Sequence, residues 1–384
     1  MKFILVLLVF STVLALPYGT NDNQIVLGSD EWSRRLISVA EGHEEWMSMD
    51  QIFDLYKEGI RFIDVTNEWH QLDALVAPSA SAIPAKPAHE KLVRFLNSKI
   101  DVTGMKTFLT AFSGFHTRYF KSNAGTLSAA WLYHQCKTIV DEADSSKVNM
   151  SIREFEHSWK QPSIIVRIER ANNAAANKKK DKYRQEIVVI SAHQDSINAW
   201  NPLHGRAPGA DDDGSGTTTI FETLRLLVRE NFVPTKAIEF HFYSAEEGGL
   251  LGSQAVVAAY KKAGTAIMGV YHVDMTGYPA KKPSIGLSTD FVDGGMSGFV
   301  KMLVETYCDV PVVHTKCGYA CSDHASWTKA GYRAAFTFEG PFDAHSPYIH
   351  TTKDDISTVS FTHMAQFVRV AIAFAVELSH SNKE

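Results

Sequence analysis

In this chain the strand-like apolar runs stop, one after another, at polar or glycine-rich turns that carry an imidazole or a carboxylate. Ile187 to Ala192 runs into His193, the alternating Ile238, Phe240 and Phe242 run into Glu246 and Glu247, and Met268 to Val273 runs into Asp274. An open α/β sheet presents its functional groups in this way, at the ends of its strands. A scatter of surface acids would not respect those boundaries.

The patterns between these turns agree with such a sheet. Ile187 to Ala192 is apolar without a break, as in a strand buried on both faces. Ile220, Leu224, Leu227 and Val228 recur at i, i+4, i+7 and i+8, which predicts an amphipathic helix over Gly216 to Asn231. Ala255, Val256 and Ala259 line another helix, Ala334 to Phe338 forms a strand, and Met364, Phe367, Val368, Ala371 and Leu378 mark a closing helix. The expected fold is α/β, with a mixed, largely parallel twisted sheet sandwiched between helices.

Three units are expected along the 384 residues. Lys2, the apolar Phe3 to Phe10 and the small-residue stretch Ser11 to Ala15 read as a signal peptide over 1–15, too short for a span; an N-terminal membrane anchor is the alternative. Residues 16–80 hold a helical pattern, Met49 to Tyr56, and a strand-like one, Arg61 to Val65. The Ala/Pro/Ser-rich Ala77 to His89 behind them reads as a linker, which gives this unit the form of a propeptide. An extension that stays attached is the alternative. Residues 81–384 are the main body, and no other stretch is expected to be long and apolar enough to cross a bilayer. A hydrophobic content of 45% suffices for one large core and a small extra unit.

A formal charge of −5 without a basic stripe argues against nucleic acid, and no membrane partner is expected. The basic run Lys178 to Lys182 reads as a solvated hairpin loop between Ile164 to Ile168 and Ile187 to Ile190. For a secreted, extracellular protein Asn149-Met150-Ser151 is a glycosylation acceptor, and four cysteines meet an oxidising environment. Cys317 and Cys321 then pair locally, while Cys136 and Cys308 either pair or remain buried thiols.

The chemistry lies in five segments. His193 is followed by Asp195, an acid placed to accept the second ring N–H of a metal-bound imidazole. Pro208 to Gly216 packs Asp211, Asp212 and Asp213 against a helix start; three adjacent acids repel one another without a cation, although capping the helix is a role open to two of them. Glu246 and Glu247 form a pair in which one acid can coordinate while the other serves as general base. Asp274 adds a third metal-facing acid, and His350, followed by Asp354, a second imidazole. Together these describe a two-metal hydrolytic site. Neither an H-E-x-x-H helix nor a G-x-S-x-G elbow is present.

With these segments in this order, the chain resembles the secreted two-zinc leucyl aminopeptidases of bacteria and fungi, co-catalytic zinc exopeptidases. The resemblance rests on Ala192-His-Gln-Asp195, Pro208 to Gly216, Ser244-Ala-Glu-Glu-Gly248, Asp274-Met-Thr276, Cys317-Gly-Tyr-Ala-Cys-Ser-Asp-His324 and His350-Thr-Thr-Lys-Asp354. It implies two Zn2+ ions per subunit bridged by Asp212, with His193 and Asp274 on one and Glu247 and His350 on the other. It implies further that Glu246 is the general acid/base, that Tyr319 points its hydroxyl at the scissile carbonyl, and that Asp195, Asp213 and Asp354 stand behind the ligands. The Asp212-Asp213 peptide bond is expected to be cis, and Met275, Phe338 and Phe342 to line an apolar side-chain pocket, with Ser288 where relatives carry a branched aliphatic residue. The implied partners are peptides with a free N-terminus and the chain's own propeptide, acting on a monomer. A glutaminyl cyclase-like or carboxypeptidase-type enzyme on the same fold is the rival reading.

Overall fold

The computed structural model describes residues 34–40, 42–74, 76–171 and 186–381, so the signal-peptide reading and the basic run at 178–182 lie outside the described residues. The chain first builds a small sheet from β1 (Arg34–Ala40), β2 (His43–Ser48) and β3 (Ile63–Asp64), in the order β2-β1-β3, with α1 (Met49–Glu58) between its second and third strands. Ser48 and Gln51 close a capping box at the start of α1, and Gly59, in the left-handed region at φ 69°, ends it.

The body follows with α2 (Glu90–Asn97), α3 (Val102–Phe112), α4 (Asn123–Glu142), β4 (Val148–Phe155), β5 (Ser163–Arg170), β6 (Ile187–His193), α5 (Gly214–Arg229) and β7 (Ala237–Tyr243). It continues through α6 (Leu251–Lys262), β8 (Ile267–Val273), β9 (Ile285–Ser288), α7 (Gly294–Tyr307), β10 (Val312–Thr315), α8 (His324–Lys329), β11 (Ala334–Phe338) and α9 (Phe361–His380). One eight-stranded sheet results, ordered β10-β9-β11-β8-β6-β7-β5-β4. β11, β8, β6 and β7 are mutually parallel, as are β10 and β9, while the pairs β9/β11, β5/β7 and β4/β5 run antiparallel. The sheet is therefore mixed, with a parallel centre, as expected.

Strand side chains alternate between two cores, which is why the central runs read as uninterrupted apolar sequence. Val188, Ile190, Phe240 and Phe242 face α3, α4, α5, α7 and α9, while Ile187, Val189 and Val270 face α6 and α8 around Trp327. Two readings change here. The 171–186 connection is not a hairpin, because β7 lies between β5 and β6. And α9 is long and apolar enough to cross a membrane by composition; 83% of its apolar window is buried inside the fold, so it is a core helix.

The N-terminal sheet docks through Asp64. Its carboxylate forms a buried ion pair with Arg35 at 2.6 Å, its N–H donates to Gly249 O, and its carbonyl accepts from Gln254 Nε2. Gly249 has φ 96°, and a Cβ there would come within 2.4 Å of Asp64 N, so the close approach requires glycine. The Ala77 to His89 stretch has no helix or strand before α2, yet it is not slack. Ser81 N donates to Glu186, and the amides of Ala88 and His89 both donate to the Glu377 carboxylate.

Candidate metal centre

The C-terminal ends of β11, β8, β6 and β7 meet at one edge of the sheet, and the site is assembled there. β6 ends on His193, Asp274 follows β8 directly, and the turn after β7 carries Glu246 and Glu247. Asp212 comes from the turn that begins α5, and His350 from the loop between β11 and α9.

Asp212 stands between two clusters. Its Oδ1 is 3.3 Å from His193 Nε2 and its Oδ2 is 3.0 Å from His350 Nε2. His193 Nε2 is 3.5 Å from Asp274 Oδ1, and His350 Nε2 is 3.0 Å from Glu247 Oε2. Two donor groups follow, His193/Asp212/Asp274 and Asp212/Glu247/His350, with ligand atoms within 4.8 Å of one another in each. Among the described residues no lysine or arginine pairs with these acids. His193 Nε2, Glu247 Oε1 and Asp274 Oδ1 are buried without a hydrogen-bond partner, a deficit that a bound cation would remove. Imidazole and carboxylate donors in this mixture suit zinc.

Electrostatics point the same way. Burial alone would raise the Asp212 carboxyl, but contacts from His193 and His350 outweigh it and hold the group well below the carboxylate range. Burial would lower His350, yet Glu247 and Asp212 lift it to about 9. The acids thus draw positive charge into this spot. Glu246 differs: its Oε2 stays 4.0 Å from His193 Nε2, outside both donor groups, and burial raises its carboxyl well above the ordinary value.

Three buried carboxylates tie the ligand loops together from behind. Asp195 Oδ1 lies 3.4 Å from His193 Nδ1, and its carboxylate accepts from the amides of Glu246 and Glu247 at 3.1 and 3.2 Å. Asp213 accepts from His193 N and Met275 N and caps α5 through Gly216 N, so of the three adjacent acids one is the N-cap. Asp354 accepts from Asp211 N and Asp212 N, joining the His350 loop to the acid turn. The Asp212-Asp213 peptide bond is cis.

Met275, Phe336 and Phe338 form an apolar cluster, with Phe342, Ile349, Cys317 and Cys321 packed against it beside the acids. Phe336 and Ile349 were not expected there. Ser288 is buried with its hydroxyl on Asp290 and does not line this pocket. Cys317 and Cys321 are joined by a disulfide that brackets Tyr319, whose hydroxyl burial pushes up; Cys136 and Cys308 are free. Asn149 lies exposed on the edge strand β4, far along the sheet from the site.

Two cations escaped the sequence reading. Arg61, near the end of the Tyr56 to Phe62 turn, that is, the last residues of α1 and the loop after it, holds one terminal nitrogen 3.4 Å from both ring nitrogens of His350. That turn walls a cleft of about 350 Å3 lined also by Trp200, Glu246, Tyr319 and His350, and the Tyr56 hydroxyl donates to Glu247 O. Nothing local in the sequence marks Arg61. Arg118, fully buried, lies in the aromatic-rich segment from Phe112 to Phe120, and a cation amid aromatics is a legible sign of a buried group needing partners.

Residues 172–375 match Peptidase family M28. The chain is 42% identical to leucine aminopeptidase 1 of Leptosphaeria maculans, over 96% of each chain, and 43% identical to that of Pyrenophora teres f. teres, over 90% of this chain and 88% of the other. Among solved structures, the Legionella pneumophila LapA aminopeptidase superposes with a TM-score of 0.76 at 29% identity, covering 91% of this chain and 94% of LapA. Coverage that wide reaches into the N-terminal sheet.

Proposed function

The chain belongs to Peptidase family M28 and is a metallo-aminopeptidase, and from that premise we propose that it removes hydrophobic, leucine-like N-terminal residues from peptides at a two-zinc centre. The observation that carries the reading is the membership of Asp212 in both donor groups, one carboxylate oxygen toward each imidazole. His193 and Asp274 would hold one ion, Glu247 and His350 the other. Bound there, the ions would supply a water activated near neutral pH and polarise the scissile carbonyl.

The chain's own groups do the rest. Glu246, raised by burial and kept out of both donor groups, takes the proton of the attacking water and delivers it to the departing amine. Tyr319, its phenol kept protonated by burial, donates a hydrogen bond to the developing oxyanion, a kind of contribution worth about 2.7–4 kcal/mol. Met275, Phe338 and Phe342 receive the N-terminal side chain. Asp195, Asp213 and Asp354 keep the ligand loops in register.

The same reading makes the protein a secreted monomer with signal peptide 1–15, catalytic domain 81–384 and a glycan on Asn149. Residues 16–80 serve as its propeptide, and the Tyr56 to Phe62 turn over the cleft supports an inhibitory role. A panel of aminoacyl chromogenic amides, run on matured protein with and without chelator, tests the proposal. Leucyl amide should be cleaved fastest, chelator should abolish turnover and zinc should restore it; cleavage of N-blocked substrates at equal rate would overturn it.

A further inference from the structure

We propose that Arg118 is a positioning residue for the metal centre: its guanidinium closes the neck of the 194–208 loop and thereby sets the separation of His193 from Asp212. The proposal rests on the two-metal reading given above.

His193 ends β6, and the chain then leaves the sheet, loops out through Trp200 and returns at Pro208 to deliver the acid turn. Asp213 ties the acid turn to His193 N, but the loop between them still needs its two ends held where they cross. Arg118 occupies that point. Its Nε donates to Gln194 O at 2.7 Å, one terminal nitrogen donates to Pro208 O, and the other donates to Gly209 O at 2.8 Å. The planar fork thus binds the residue after His193 and two residues just before Asp211-Asp212-Asp213 with all three nitrogens. Its plane is fixed from outside the site by the Phe112 ring, 4.3 Å from the guanidinium carbon. The main chain repeats the clasp: Arg118 N donates to Ser196 Oγ at 3.1 Å, and that hydroxyl donates to Ala207 O at 2.9 Å.

Gly209 shows how tight the fit is. At φ 52° it presents its carbonyl to the fork, and a Cβ there would lie 2.8 Å from the guanidinium nitrogen. Charge matters as well as shape. Burial works against the Arg118 charge, and Asp354, Asp195, Asp213 and Asp212, buried behind and among the ligands, offset part of that cost. A lysine could place one charge there but could not span three carbonyls in one plane.

The experiment compares Arg118→Lys, Arg118→Met and the milder Ser196→Ala with the parent in the full chain. It measures zinc affinity by competition with a chromophoric chelator, the visible spectrum of the cobalt-substituted protein, melting of the chelator-treated protein, and kcat and KM on a leucyl amide. Arg118→Lys should weaken zinc by about 10–100-fold, the usual cost of losing a group that orients ligands, and shift the cobalt bands. Its kcat should fall while KM changes little. Ser196→Ala should weaken zinc in the same direction by less. Should Arg118→Lys melt earlier yet keep the parent's zinc affinity and cobalt spectrum, the residue is a scaffold only and the proposal fails. Should the arginine variants not fold, unchanged zinc affinity in Ser196→Ala overturns it. A parent that binds no zinc overturns this proposal together with the metal reading; a zinc-binding parent matched by Arg118→Lys overturns this one alone.

Discussion

Replacing Arg61 by alanine in the uncut protein should partly open the catalytic cleft without releasing the N-terminal sheet. One guanidinium nitrogen lies 3.4 Å from both ring nitrogens of His350; burial opposes the arginine's charge, but Tyr319, Asp212, Glu247 and Glu246 outweigh it. With a metal on His350 Nε2 the ring offers the guanidinium no lone pair, so what holds Arg61 there is its attraction to these acids. A contact of a charged group of this kind contributes about 1.5–3 kcal/mol net, and about 1.4 kcal/mol is tenfold in an equilibrium. Loss of the contact should therefore raise the turnover of the uncut form by about tenfold to a hundredfold. The sheet stays docked in this variant because its anchors are elsewhere, in the Arg35 to Asp64 ion pair and the Asp64 contacts with Gly249 and Gln254. The assay is hydrolysis of a leucyl chromogenic amide at saturating zinc, for uncut protein and for protein cleaved near Val76, which is 95% exposed beside the pinned 81–89 stretch. If uncut Arg61→Ala is as slow as the uncut parent while both cleaved forms are fast, the turn's backbone and not the guanidinium closes the cleft. If the uncut parent already matches the cleaved one, residues 16–80 are not inhibitory.

Four further outcomes follow from the site. Glu246→Gln should retain both zincs while kcat falls by about 10²–10⁴, and loss of a zinc would show that it is a ligand. Glu247→Gln should instead weaken the ion on the His350 side, seen as a second, looser phase in a zinc titration; two equal tight phases would contradict the assignment. Metal analysis of the parent should return two zincs per chain, and one zinc at full activity would refute the bridging role of Asp212. Finally, burial and then Arg35 pull Lys121 down to about 7, against Asp64, in a spot where the N-terminal unit's Met49 also contacts it. Undocking removes Arg35 and the burial that the N-terminal unit adds and so raises the amine toward the ordinary lysine range; docking is therefore strongest at high pH, weakens as pH falls toward about 7, and is flat below. Hydrogen exchange in β1 should follow this sign and Lys121→Met should abolish it; docking that strengthens on acidification would rule the account out.

The central strands and the candidate ligands were legible because both are local signals. A strand buried on both faces must be apolar throughout, and an acid or imidazole just beyond it must sit at the sheet edge, as His193 and Asp274 do. Strand order is not local: nothing in Ile164 to Ile168 or Ile187 to Ile190 says that β7 will insert between them, so a hairpin was the natural reading and a wrong one. Composition likewise cannot tell an all-round apolar core helix such as α9 from a span, since both are surrounded by hydrocarbon. Arg61 was invisible because its partner, His350, comes from the opposite end of the chain. The contact of Asp195 with His193 was readable from its spacing to that imidazole; Asp354 instead holds the amides of Asp211 and Asp212 and pairs with no imidazole among the described residues, which its spacing to His350 did not show.

α9 follows every strand of the sheet in the chain, yet it packs on β6, β7 and β8 at the middle. During synthesis those strands leave the ribosome well before the helix that roofs them, and Val188, Ile190 and Phe240 meanwhile lack part of their packing. That face of the sheet therefore completes its packing only once α9 has emerged. Until then the middle of the sheet, formed by β6, β7 and β8, is the part of the nascent chain most open to holdase chaperones and proteases.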